Sequence, residues 1–579
     1  MLFINRLDFF SFLEIIKSRE KTLHIFSKEG LSFPVINSLL KLLGYNVIVE
    51  SFFYGDIFSN TGEVLYMKTR RQASEMAFNY SEEVYDILKE TNHAKILEDE
   101  LTLKSFISKR VVIEFEYYLR RVDYITSLKS YSDNFCLLIN EPKFIDSYFL
   151  NSNTKLDIKF YNYKLFSILK QEIKLFLISI FSSVKYLFFS NKISDYETTI
   201  GISTEPISLK TFERHYPHWV RKKNFKNFII INDTNQKVNV SKTFLKKNNI
   251  KILGKLSLMY LPLKKEEAYI INKSKKIPKH LIIQIKKLQM LSKGYLQILK
   301  KYGCNKFIFS EPQDYSSDAI LMCKKYHKIS TYCIQFSNIG YQTPLMISPV
   351  DYYLCFSETY KAVLKWKNIT PKNFLSCGYS FYDKKVDPNM TSIKDNLSAI
   401  GVKKIISFFD ESIQYDKWGL ISFNSVKSEY EDLASFILSK KDYAVIIKPQ
   451  FMINSLNIFK SNIIENALKT KRLIEIKKGS HRNVITPQQV GSISDISISN
   501  LIGGTAGIEA AISGATLFFI NPFRYKPHNY EIIAKYGLVF NNLKEVLKHI
   551  NSIEFKNSSN ELIENLISNK YTISEVIEK

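Results

Sequence analysis

Cysteine is scarce. The six in the chain, Cys136, Cys304, Cys323, Cys333, Cys355 and Cys377, include no C-x-x-C pair. That pattern argues against a zinc ribbon or a disulfide-stapled scaffold and fits a reducing cytoplasm. Histidine is scarce too, and the one close pair, His215 and His218, has Pro217 inside it and no further ligand nearby, so no metal site is expected. Asp-x-Asp is absent, and with it the usual carboxylate pair for a metal-bound diphosphate. G-x-x-x-x-G-K-[ST] is also absent, which argues against phosphoryl transfer from a P-loop. Long apolar runs are missing: the best, residues 175–184 within 165–190, holds three serines and falls well short of the roughly 20 residues a spanning helix needs. The N-terminus, MLFINRLDFFSFLEIIKSRE, has acids in its apolar part and no small-residue cleavage site, which argues against a signal peptide.

What is present reads as a folded globular chain, 45% hydrophobic, 14% aromatic and 24% charged, with no large part that need be a tail. At 579 residues, two domains, or two plus an insertion, are expected. The net charge of +25 calls for an acidic partner such as a membrane surface, nucleic acid or a phosphorylated substrate. The lysines are dispersed, so nucleic acid is not expected. Lys170, Glu172, Lys174 and Lys185 flank the Phe/Leu run at 175–184. This is the pattern of an amphipathic helix lying on an anionic membrane, with a core helix as the alternative.

Strands and helices alternate along most of the chain. TLHIFS, FPVINSLLKLLG and NVIVESF read as one β-α-β unit with Gly44 closing its helix, which implies a parallel sheet. Residues 54–199 read as a helical insertion. Alternation resumes from NFIIIND to NFLSCGYSFYD, and the polar stretch at 383–396 reads as a linker. A second α/β unit follows. The expected architecture is therefore an N-terminal Rossmann-like domain, 1–385, with its insertion, facing a C-terminal one, 386–579. Ligands bind such a cleft beyond the carboxyl ends of the strands.

Chemistry concentrates in LIGGTAGIEAAISGA, at 501–515, where a strand, ISISN, turns into a helix rich in glycine and alanine. Gly503 and Gly504 allow a tight turn and close approach of a ligand. Thr505 is placed to cap the helix, and the first-turn amides suit a phosphate. Glu509 lies one turn on, on the same face, where a carboxylate can accept from two ribose hydroxyls. The competing expectation is a helix kept small only for packing, with Glu509 in solvent.

The sequence resembles the GT-B glycosyltransferases that build bacterial surface polysaccharides, and the related glycerophosphate transferases of teichoic acid synthesis. GGTAGIEAAISGATLFFINPFRY matches their glycine-rich turn, glutamate helix and following aromatic loop, and VIIKPQ their lysine-proline strand end. STYCIQFSNIGYQ and DYYLCFSETYKAVLKWKNITPKNFLSCGYSFYD follow in the same order upstream. The resemblance covers roughly the last half of the chain. It implies a metal-independent transfer of a sugar from a nucleotide-sugar donor to a glycan or lipid-linked acceptor, with no cofactor. The place of action would be the cytoplasm, peripheral to the inner face of the plasma membrane. One departure is plain: relatives carry Gln-His-Gly or Trp-His-Gly where this chain has Gln335, Phe336 and Ser337, so the role of that histidine does not carry over.

Sugar transfer needs a base for the acceptor hydroxyl and cations or amides for the leaving diphosphate. Glu29, Glu311 and Asp314 follow strand ends on the acceptor side and are the expected catalytic acids. Lys448, Asp410, Ser412 and Arg524 join Gly503, Gly504, Thr505 and Glu509 as donor-side residues, with Gln335, Ser337, His481 and Arg482 as further cleft candidates. Three alternatives remain: a polyol-phosphate transferase, a nucleotide-sugar 2-epimerase of the same fold, and a non-enzymatic basic scaffold with a degenerate cleft.

Overall fold

A computed structural model of the chain describes residues 2–4, 9–18, 21–25, 33–49, 63–90, 99–127, 136–139, 157–160, 172–178, 180, 198–203, 227–232, 240–247, 249–254, 260–262, 277–309, 312, 315–324, 326–366, 369–379, 387–411, 423–450, 455–476, 485–550 and 554–578. Their strands form three sheets, parallel throughout.

The first sheet runs β1 (Leu2–Ile4), α1 (Phe9–Ser18), β2 (Thr22–Ile25), α2 (Phe33–Leu42) and β3 (Asn46–Val49). After β3 come two long helices, α3 (Leu65–Glu90) and α4 (Glu100–Ser127). Then β4 (Cys136–Ile139) and β5 (Asp157–Phe160) complete the order β3-β2-β1-β4-β5. The expected β-α-β unit is present. Gly44, at φ +78°, closes α2: its amide donates to the Lys41 carbonyl and that of Tyr45 to the Leu40 carbonyl, the paired bonds that a left-handed C′ residue permits.

The second sheet collects β6 (Thr198–Ser203), β7 (Asn227–Asn232), α5 (Lys242–Lys247), β8 (Ile250–Gly254), α6 (Lys279–Lys301), β9 (Cys304–Phe309), α7 (Tyr315–Leu321), β10 (Ser330–Ile334), β11 (Tyr352–Cys355) and β12 (Asn373–Ser376). Its order is β12-β11-β10-β9-β6-β7-β8. α3, α4 and α6 cover it through a core that includes Phe106, Phe115, Leu288, Phe307 and Tyr353. Inside this layer Lys109 of α4 meets Asp318 of α7 at 2.7 Å, both side chains fully buried. The Lys109 ammonium also donates to the Pro312 carbonyl at 2.6 Å and to Ser348 Oγ at 2.8 Å, so its three donors are used and the charge is compensated. Burial pushes the lysine pKa down and the aspartate pKa up, and each charge opposes the other's shift.

The third sheet runs α8 (Pro388–Ala399), β13 (Lys404–Phe409), α9 (Phe423–Ser439), β14 (Tyr443–Ile447), α10 (Ser455–Ile458), α11 (Asn462–Lys469), β15 (Leu473–Glu475), α12 (Pro487–Gly491), β16 (Ile496–Asn500), α13 (Thr505–Ile512), β17 (Thr516–Ile520), α14 (Tyr530–Ala534), β18 (Val539–Phe540), α15 (Leu543–His549), α16 (Glu554–Leu566) and α17 (Ile573–Glu578). Its order is β15-β14-β13-β16-β17-β18. The second and third sheets are the two facing parallel units of the α/β class read from the sequence.

Four details depart from that reading. A third sheet exists, because β1 and the four-residue strands β4 and β5 are too short to show a period; β4 and β5 also interrupt the stretch read as wholly helical. The expected linker is half helix: Pro388 sits at the first position of α8, and Asp387 caps it by accepting from the Asn389 amide at 3.0 Å. α3 belongs to both halves, since Tyr66 and Met67 at its start are buried in the core of the third sheet while Ala73 to Leu88 sit in that of the second. Finally, α17 leaves the third sheet: Ile573, Val576 and Ile577 pack with Ile308, Tyr332 and Leu354, after the Lys570 and Tyr571 amides donate to the Ser376 carbonyl.

Of residues 165–190, those at 172–178 and 180 are described and are helical. Ile173, Phe176, Leu177 and Ile180 are exposed there, at the i, i+3, i+4, i+7 spacing of one face. Among the described residues no helix is long and apolar enough to cross a membrane. The five cysteines whose side chains are described are buried, and no disulfide joins any two of them.

Candidate active site

The turn between β16 and α13 shows why the segment is small. A methyl group at Gly504 would lie 2.6 Å from the Phe519 ring and 2.9 Å from the Asn500 carbonyl oxygen. At Gly507 it would lie 2.2 Å from Ser499 Oγ. A backbone constraint comes from α12: a methyl group at Gly491 would stand 2.4 Å from the Ala510 Cα. α12 and α13 therefore touch backbone to backbone, and packing accounts for much of the glycine and alanine. Gly503 differs. It has φ +73°, and Glu411 Oε1 occupies the space 2.1 Å from where its Cβ would be, so the carboxylate that ends β13 stands directly against the turn.

Thr505 does not cap α13. The N-cap is Gly504, without a side-chain bond, because the turn draws the Thr505 amide onto the Gly503 carbonyl at 2.6 Å. The threonine hydroxyl instead accepts from the Asn338 amide, in the loop after β10, at 2.8 Å. Asn338 is fixed in turn by the Tyr360 hydroxyl, 2.8 Å from its Oδ1.

Glu509 is 6% exposed, which removes the expectation of a carboxylate in bulk solvent. Its Oε1 accepts from the Tyr379 hydroxyl at 2.5 Å. Tyr379 follows β12 in the opposing unit and is aimed by Gly378 at φ +72°. The helix is thus gripped twice by the second-sheet unit, once by Asn338 at its first turn and once by Tyr379 at its second.

On the other face of the third sheet, Asp410 is buried, with Oδ1 accepting from the Gln450 amide at 2.7 Å and Oδ2 from the Tyr430 hydroxyl at 2.9 Å. Burial pushes its pKa up to about 6 against those hydrogen bonds and the nearby Lys448. Asp410 holds the turn after β14 in place, and Lys448 stands at that strand's end with its amide on the Phe408 carbonyl at 2.9 Å. Glu429 of α9 is pushed up to about 8 by burial, then by the charges of Asp410, Asp432 and Glu411, and its buried Oε2 has no hydrogen-bond partner among the described residues. Asn500 ends β16 one position beyond the Phe409–Ser499 pair, on the Asp410 side by strand alternation. It is buried, and neither amide atom has a partner among the described residues.

Gln335 is fully buried, and its amide ties two loops together: Nε2 donates to the Ser337 carbonyl and Oε1 accepts from the Phe356 amide, each at 2.9 Å. Ser337 takes part in the same turn through its carbonyl. Arg524, at φ +50°, is exposed and lines a cavity beside the junction. Glu29, Glu311, Asp314, Ser412, His481 and Arg482 lie outside the described residues, as do His215 and His218. Sequence reasoning did not single out Tyr379, Asn338, Glu429 or Asn500 for the site. For Tyr379 a signal existed, the glycine-aromatic pair ending a strand.

A glycine turn and an inward carboxylate lie beyond the carboxyl ends of parallel strands, under loops of a second parallel unit, which is the place where open α/β folds bind ligands. No family model matches the chain, and no curated protein does. Among solved structures the chain is similar to a UDP-GlcNAc 2-epimerase from Neisseria meningitidis bound to UDP-GlcNAc, at 13% identity over 66% of this chain and 98% of that one, TM-score 0.40. It is also similar to a glycosyltransferase from Rickettsia africae, at 13% identity over 66% and 97%, TM-score 0.39. A third is the wall teichoic acid polymerase TagF, at 10% identity over 71% and 93%, TM-score 0.39.

Proposed function

We infer that the chain is an enzyme acting on a nucleotide-linked sugar, and specifically a glycosyltransferase that passes the sugar to a surface polysaccharide or lipid-linked glycan without a metal. The observation that carries this reading is Glu509, a buried carboxylate at the junction of two parallel units. A helix made small for packing alone needs no such acid, and burying a charge without a purpose is costly. In this reading Glu509 accepts the ribose hydroxyls, which replace or share the Tyr379 bond, and the backbone of 503–505 faces the diphosphate.

The position of Glu411 constrains the chemistry. An anionic diphosphate at Gly503 meets that carboxylate, so binding either swings Glu411 aside or brings it toward the acceptor hydroxyl, where a carboxylate serves as base. Glu29, Glu311 and Asp314 remain the acids proposed for that role from the acceptor side. Unfolding temperatures measured with UDP-, CMP-, GDP- and CDP-linked sugars test the proposal. One base class is expected to stabilise the protein, with the free nucleoside diphosphate nearly as effective; equal, negligible shifts for all four would contradict it.

A further inference from the structure

A cavity of about 610 Å³ opens between the start of α3, the turn at 340–342, Trp366 and the segment after β17. None of the donor-turn residues lines it except Arg524, so it is separate from the cradle around Glu509. Its volume lies within the range of small-ligand sites.

Its floor is the segment after β17, in which buried and exposed side chains alternate through a turn at Arg524, φ +50°. Phe523, Tyr525, Pro527 and Asn529 are buried, while Arg524, Lys526 and His528 are exposed and line the cavity. The segment is fixed rather than loose. Asn521 clasps it by giving Nδ2 to the Tyr525 carbonyl and taking the Tyr525 amide on Oδ1, both at 2.8 Å. The His528 amide donates to the Gly340 carbonyl at 2.7 Å, and Gly340 has no room for a side chain because a Cβ would lie 2.2 Å from the Tyr525 hydroxyl.

The walls are aromatic. Trp366 stacks on Phe78 at 4.4 Å with planes 12° apart, and its buried indole N–H has no hydrogen-bond partner among the described residues. Tyr341 carries the Arg70 guanidinium 4.8 Å from its ring centre. On the α3 side Arg71 is held by Glu63 through two bonds of 2.6 and 2.7 Å, and Glu75 lines the cavity as well, so Arg524 and Lys526 are offset in part by that carboxylate.

The exposed Arg524 and Lys526 suit anionic groups, and a fixed aromatic wall with a donor at its edge suits the apolar face and hydroxyls of a sugar ring. A free phosphate would use only the first feature and a neutral sugar only the second. We propose that this cavity binds an acidic saccharide, one or two sugar residues bearing phosphate or carboxylate, as the acceptor-side subsite of the enzyme. The inference rests on the glycosyltransferase reading for the word acceptor, and on the cavity alone for the ligand class.

The test uses glucose 6-phosphate, glucuronate, glucose and inorganic phosphate with the full chain, followed by calorimetry and tryptophan fluorescence. At least one acidic sugar is expected to bind about 10-fold more tightly than glucose and than inorganic phosphate. Whether it is the phosphate or the carboxylate identifies the acidic group. Lys526→Gln combined with His528→Asn is expected to weaken that binding about 10-fold or more with an unchanged unfolding temperature, and Trp366→Phe to abolish the fluorescence response. Inorganic phosphate binding as tightly as the sugar phosphate would overturn the saccharide assignment, as would a folded Lys526→Gln, His528→Asn variant that binds like the parent. Nucleotide-sugar binding is read in the same variants and is expected to be unchanged. If the acidic sugar binds as described while no nucleotide-sugar does, the transferase reading fails and the cavity assignment stands.

Discussion

Replacing Glu509 by glutamine keeps the size and helix propensity of the side chain and removes its charge. In the free protein the Tyr379 hydroxyl, now 2.5 Å from Oε1, still finds a carbonyl acceptor. A hydrogen bond to a charged group contributes roughly 1.5–3 kcal/mol and a neutral one about 0.5–1.5, so stability is expected to fall by about 1 kcal/mol, offset in part because a buried charge is gone. The donor complex loses more. Where the carboxylate accepts ribose hydroxyls, the change costs about 1.5–3 kcal/mol of binding, or about 10- to 150-fold in Kd. Tyr379→Phe separates the two effects: it frees Glu509 from a competing donor, so nucleotide binding is expected to be as tight as the parent's or tighter, at some cost in stability. Isothermal titration of the parent, both single variants and the double variant measures the coupling. Glu509→Gln binding its nucleotide as tightly as the parent would refute the ribose role, and the short α13 would then be explained by packing alone.

Gly491→Ala is expected to cost about 1–3 kcal/mol or more through overpacking, because the new methyl group meets the Ala510 backbone; urea denaturation reads this directly. Lys109→Met leaves Asp318 buried without its main partner and is expected to cost about 3–5 kcal/mol, with Lys109→Met, Asp318→Leu recovering much of the loss. Asp410 and Glu429 have folded pKa values raised by burial to about 6 and about 8. Raised carboxylates make the folded state bind more protons than the unfolded one. Stability therefore falls as pH rises from about 4 through those values, and Glu429→Gln is expected to flatten the fall between pH 6 and 8 in denaturation curves. The exposed face of Ile173, Phe176, Leu177 and Ile180 is expected to give salt-sensitive binding to anionic vesicles; Phe176→Ser, Leu177→Ser with undiminished binding would remove that surface from the account.

Much of the architecture was legible where the pattern was long or the local chemistry strong. Gly44 announced the end of α2, and the alternation from β9 to β12 and from β13 to β17 announced parallel sheets. Strands of three or four residues such as β1, β4 and β5 carry too few positions to display a period. The return of α17 to the second sheet is a tertiary choice that its own six residues do not encode. In α13 composition displayed the small residues but not the reasons for them: Gly507 and Ala510 answer to Ser499 and Gly491, which lie 8 to 19 residues away in sequence. Thr505 had every local mark of a cap, and a tight turn together with a loop from the other unit claimed its amide and hydroxyl instead. Tyr379 and Asn338 matter through contacts across more than 100 residues of chain, which no local motif displays.

The central claim is that a sugar leaves a nucleotide here. Mass spectrometry of the products, after the protein is incubated with the nucleotide-sugar that stabilises it and an acidic saccharide acceptor, tests it most directly. The account predicts free nucleoside diphosphate together with an acceptor heavier by one sugar residue, both diminished in Glu509→Gln. An intact nucleotide-sugar whose sugar has been inverted at C2, a nucleoside monophosphate with a phosphorylated acceptor, or no turnover of any donor would contradict it.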